Sequence, residues 1–95
     1  MNQNQKQIKQ QIQKPTEFNI KLNTINDIYE FVSISGKMLE PVRVKSDNFV
    51  VDGKSLLGLF SLNHDDHVVV EVAKPEYVLL FAEIGRTEKN DKRVK

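Results

Sequence analysis

The sequence predicts an α+β sandwich of order β-α-β-β-α-β-α, in which helices cover one face of a four-stranded sheet and the other face is exposed. Three observations predict it. Polar and apolar residues alternate from Glu17 to Leu22 and from Pro41 to Lys45, the period of half-buried strands. Apolar residues recur at helical spacing from Ile25 onward. The run from His67 to Ala73 is dense in valine, the strongest strand signal in the chain. At 95 residues there is room for one domain of modest size.

The first strand buries Phe18, Ile20 and Leu22 on one face. Asn23-Thr24 then offers a helix cap. Thr24 followed three residues later by Asp27 resembles a capping box, with Asp in place of Glu. Ile25, Ile28, Phe31, Val32, Ser35, Met38 and Leu39 follow helical spacing, which predicts a helix from Ile25 to about Ser35, ended by Gly36. Pro41 to Lys45 reads as a strand, Ser46-Asp47-Asn48 as a turn and Phe49 to Val51 as a short strand, so the two strands form a hairpin. Asp52-Gly53 breaks it, and Ser55 caps a short helix, Leu56 to Phe60. A loop at residues 63–66 leads into the valine-rich strand. Pro75 suits the first turn of a last helix, Glu76 its positive end and Gly85 its stop. Residues Tyr77 to Ile84 are almost wholly apolar, so this helix is expected to be largely buried.

Residues 1–15 are dominated by Gln and Asn and read as a disordered tail; residues 86–95 read as a second, basic tail. The domain is expected at 16–85. Both tails are basic, whereas residues 16–85 hold six basic and eleven acidic side chains. A mildly acidic body with basic ends argues against a nucleic-acid partner, which needs Lys and Arg clustered on folded structure. There are no cysteines, which excludes disulfides, thiolate chemistry and Cys-based zinc sites. The N-terminus has no apolar stretch behind its lysines and does not read as a secretory signal. No apolar run is long enough to enter a bilayer. These features together predict a cytoplasmic location.

The segment Val51-Asp52-Gly53-Lys54-Ser55-Leu56-Leu57-Gly58-Leu59-Phe60-Ser61-Leu62 resembles the HPr family, the histidine phosphocarriers of the bacterial sugar phosphotransferase system. In that family a Lys-Ser pair opens a short helix with a glycine inside and Ser-Leu at its end. Phe18-Asn19-Ile20 is similar to the family's first strand, and the element order agrees over about residues 17–85. The resemblance implies an HPr-like open-faced sandwich: four antiparallel strands with three helices on one face. Family members carry a phosphoryl group on a histidine at the N-terminal end of the first helix, followed by Ala-Arg-Pro. Free N–H groups and the helix dipole stabilise the added charge there, and an arginine adds a charge-assisted fork. In an ungapped alignment from Phe18, the histidine falls on Asp27, the arginine on Tyr29 and the proline on Glu30. No histidine precedes His64 and no arginine precedes Arg43, so the phosphoacceptor is missing.

Several positions stand out as candidate sites. Ser55 matches the family's regulatory serine, phosphorylated by a dedicated kinase; it reads equally as a plain helix cap. Leu56, Leu57, Leu59 and Phe60 cannot all face the core of one short helix. The resemblance implies that Leu56, Leu57 and Phe60 dock partner proteins, the alternative being that they pack under the last helix. Asp27, at the acceptor position, reads as a permanent negative charge or as the acid of the capping box. His64, Asp65, Asp66 and His67 form an acidic, histidine-bearing turn, but four consecutive side chains do not converge on one ion, so no metal is expected. A displaced acceptor at His64 would lack helix-dipole support. No cofactor motif and no nucleophile with a base occur, so the chain is not expected to be an independent enzyme.

The expected function is that of a monomeric regulatory or docking module related to the phosphotransferase system, without histidine phosphocarrier activity. Its partners are expected among phosphotransferase proteins or an associated regulator or kinase, with no nucleic acid and no membrane insertion. The alternative is a functional phosphoryl carrier using a non-standard acceptor residue.

Overall fold

The computed structural model describes residues 14–62 and 66–85. The tails expected at 1–15 and 86–95 fall outside these residues, except for Lys14 and Pro15. The elements are β1 (Thr16–Ile20), α1 (Ile25–Ser35), β2 (Arg43–Ser46), β3 (Phe49–Asp52), α2 (Leu56–Phe60), β4 (Val68–Val72), a 3-10 turn (Pro75–Tyr77) and α3 (Val78–Phe81). The β-α-β-β-α-β-α order and the α+β sandwich are therefore as expected. No helix among the described residues is long and apolar enough to cross a membrane.

The four strands form one antiparallel sheet in the order β1-β4-β2-β3. β4 is thus central, and its register decides both faces. Phe18 pairs with Val70, Val70 with Val44, and Val44 with Val51, so one row of apolar side chains crosses the whole sheet. Val68, Val70 and Val72 are buried on that face. One residue out of phase, Glu17 pairs with Glu71, Glu71 with Arg43 and Arg43 with Asp52, which places charge on the opposite, open face.

All three helices lie on the apolar face. Phe31 of α1 and Phe81 of α3 are buried with ring centroids 4.7 Å apart, and Phe18 of β1 reaches Phe81 at 5.4 Å. Leu59 of α2 joins the same core. The hairpin turns at Asp47, whose φ of 52° lies in the left-handed region that Asp tolerates better than most residues. Gly85, expected to stop the last helix, has φ +85°, which glycine adopts freely, but the helix ends earlier, at Phe81 with Ala82 as its C-cap.

Two expectations require correction. Ile25 and Leu39 belong to the helical apolar spacing, yet they are 62% and 95% exposed. The stripe they extend is wider than the surface available to cover it. The last helix is not a buried run from Tyr77 to Ile84: it is a 3-10 turn and a single α turn, with Phe81 buried and Leu79 and Leu80 exposed. Among the described residues of so small a domain, none covers the face that carries Leu79 and Leu80. Gly36 does end α1, but with φ −65°, so the stop does not use a left-handed glycine. Its N–H donates to the Val32 carbonyl at 2.8 Å.

Candidate functional site

The corner at the start of α1 is built by local hydrogen bonds. Thr24 is extended, and its Oγ1 accepts from the Asp27 N–H at 3.0 Å. Asp27 Oδ2 accepts in return from the Thr24 N–H at 3.2 Å and the Asn23 N–H at 2.9 Å. This is a complete capping box, with three donors satisfied by two side chains. Asp27 is 1% exposed, and its Oδ1 has no hydrogen-bond partner. Of the two readings of Asp27, a permanent negative charge or the acid of the capping box, the geometry gives the second: the carboxylate is buried and accepts the cap's two N–H groups.

The short helix α2 begins at Ser55, whose Oγ accepts from the Gly58 N–H at 3.0 Å. Gly58, though poor as a helix former, sits where a side chain would be tightly packed. A Cβ there would sit 3.3 Å from both Ser55 Oγ and Val51 Cβ. The preceding Lys54 donates from its Nζ to the Met38 carbonyl at 2.5 Å.

The four apolar positions of α2 divide as helical geometry requires. Leu59 is buried in the core, and Leu56 is half-buried against it. Leu57 is 80% exposed and Phe60 40% exposed. The packing alternative therefore holds for Leu56 in part, whereas Leu57 and Phe60 stand at the surface. They are joined by two residues of α1: Ile25, which the helical spacing had placed in the core stripe, and Tyr29, which it had not. The Tyr29 ring meets Phe60 edge-on, with centroids 6.3 Å apart, and Ile25 lies one helical turn before Tyr29. Ile25 and Tyr29 are both more than half exposed. Ile25, Tyr29, Leu57 and Phe60 thus give an apolar surface spanning α1 and α2.

The turn before β4 contributes little. His64 and Asp65 lie outside the described residues. Asp66 Oδ1 accepts from the His67 N–H at 2.8 Å, and both side chains are exposed. Among the described residues, no group of three His, Asp or Glu side chains is placed to hold a metal ion. No protein-family model matches the chain, and no curated protein matches it.

Proposed function

We propose that this chain is an HPr-like docking module of the bacterial sugar phosphotransferase system or an associated regulator, one that binds protein partners through α1 and α2 and does not carry a phosphoryl group on histidine. The observation that carries this reading is the exposed pair Leu57 and Phe60, extended by Tyr29 and Ile25. Apolar side chains grouped on one surface favour a partner that removes them from water. The likeness of residues 51–62 to the family, together with the four-stranded sheet and helix order, supports the choice of system. The position that aligns with the phosphohistidine is Asp27, buried and committed to the cap, which supports a non-carrying role. Ser55 is the regulatory phosphorylation position in this reading, with Oγ at the start of α2.

Two measurements test it. Incubation with labelled phosphoenolpyruvate and the general enzyme of the phosphotransferase system is expected to leave the chain unlabelled; acid-labile label on it overturns the proposal. Replacing Phe60 with Lys is expected to keep the fold and abolish binding to phosphotransferase partners. Loss of the fold would instead make Phe60 a packing residue.

A further inference from the structure

Away from that surface, a groove of about 570 Å³ opens between the end of α1 and the last helical segment. Ile34, Met38 and Leu39 form one wall; Tyr77 and Leu80 form the other. Leu39, on the rim of the first wall, is 95% exposed, and Leu80 of the second wall is half exposed. An apolar knob and an apolar hollow therefore occupy the same face. Each wall also carries one charge, Lys37 on the first and Glu83 on the second, both exposed and neither ion-paired among the described residues. Tyr77 is held in its wall by its hydroxyl, which donates to Glu40 Oε1 at 2.8 Å.

We infer that this face binds a second copy of the chain about a twofold axis, with Leu39 of each copy seated in the groove of the other. A surface with a knob, a hollow and one charge of each sign is complementary to itself, as an isologous interface requires. The twofold operation sets Lys37 of one copy against Glu83 of the other, and the same pair recurs on the far side. A cationic or anionic partner would meet one matching and one repelling charge; a second copy meets two matching ones. This departs from the monomer expected from the sequence, and it leaves the surface of Ile25, Tyr29, Leu57 and Phe60 free.

Sedimentation equilibrium of the full chain, run up to about 1 mM because small apolar interfaces are weak, tests the inference. The expected result is a concentration-dependent dimer that Leu39→Asp converts to monomer with an unchanged circular dichroism spectrum. Lys37→Glu and Glu83→Lys are each expected to weaken self-association roughly fivefold, since each creates two like-charge contacts at the rim. An equimolar mixture of these two variants is expected to form heterodimers at least as well as the native chain self-associates, because every rim pair is then opposite in sign. A chain that stays monomeric throughout overturns the inference. So does a dimer indifferent to Leu39→Asp, or one whose charge variants fail to recover on mixing.

Discussion

Ser35 Oγ donates a 2.6 Å hydrogen bond to the Gly53 carbonyl, joining the last turn of α1 to the turn that launches α2. The same glycine donates its N–H to the Val42 carbonyl at 2.6 Å. Lys54, next in sequence, reaches back to the Met38 carbonyl. Three bonds within two residues thus bolt the β3–α2 turn to the end of α1 and the strand approach after it. The apolar surface proposed for docking spans α1 and α2, so its shape depends on this junction.

Replacing Ser35 with Ala strips the donor from a buried carbonyl. The expected loss of stability is about 1–3 kcal/mol, the usual cost of an unsatisfied buried group. Urea denaturation of the two proteins measures it; a loss within error would mean that another donor reaches the Gly53 oxygen.

At Gly53 the backbone itself is the constraint. A Cβ there would lie 2.5 Å from Val42 Cγ1 and 3.0 Å from the Val42 carbonyl oxygen. Gly53→Ala is expected to destabilise by about 1–3 kcal/mol through overpacking. Because the nearest atom belongs to the Val42 side chain, Val42→Ala in the same protein should recover part of that loss. A double-mutant cycle showing simple additivity contradicts the proposed clash.

The capping box at Thr24 and Asp27 acts as one unit. Thr24→Ala is expected to cost about 1 kcal/mol, and Asp27→Ala about 1–3 kcal/mol because two backbone donors lose their acceptor. Their sum should exceed the loss in the double variant, since each side chain holds the other's backbone. Equal values would show that the two hydrogen-bonded arms contribute independently.

On the open face, Lys45 Nζ sits 2.9 Å from both Glu17 and Glu71, which pair directly across β1 and β4. The hydrogen bond from Lys45 holds the Glu71 carboxyl below the usual range and raises Lys45 in turn. A lowered carboxyl stabilises the fold above its unfolded value and loses that contribution as pH falls through the folded one. The raised lysine contributes below its unfolded value and is lost as pH rises through the folded one. Both contributions are therefore present near neutral pH. Lys45→Met should lower the thermal midpoint at pH 7, where it leaves two carboxylates facing each other. As pH falls through the lowered Glu71 value, the difference from the native chain should shrink. A difference of equal size at pH 7 and in acid would rule out an electrostatic role.

The Tyr77 hydroxyl is the main cause of the lowered Glu40 carboxyl, with Lys74 adding attraction. In Tyr77→Phe, the Glu40 carboxyl should therefore titrate at higher pH by NMR, and the tie between the loop after α1 and the last helical segment should weaken as pH falls. An unchanged Glu40 titration would assign the shift to the backbone hydrogen bond at Glu40 and to Lys74 instead.

Much of the local structure is legible because it depends on neighbours in sequence. The box at Thr24 and Asp27, the Ser55 cap of α2 and the bounds of α1 at Ile25–Ser35 all involve residues within one turn of each other or a local apolar period. Burial was less legible. Ile25, Leu39, Leu79 and Leu80 carry the apolar character of core residues, yet they remain exposed. Hydrophobic spacing says which face of a segment is apolar and not whether anything covers it.

Sequence alone set the order of the elements, the caps that begin the first two helices, the alternating faces of β1 and β2, and the absence of any histidine before His64. Each follows from residue chemistry and from periods of two or 3.6 residues. Only the tertiary structure decided that β4 lies between β1 and β2, that Lys45 bridges Glu17 and Glu71, that Asp27 is sealed inside its cap and that Tyr29 meets Phe60. Apart from the burial of Asp27, these relationships join residues distant in sequence. All of them are selected by the joint burial of one apolar sheet face, a condition that no single segment can express alone.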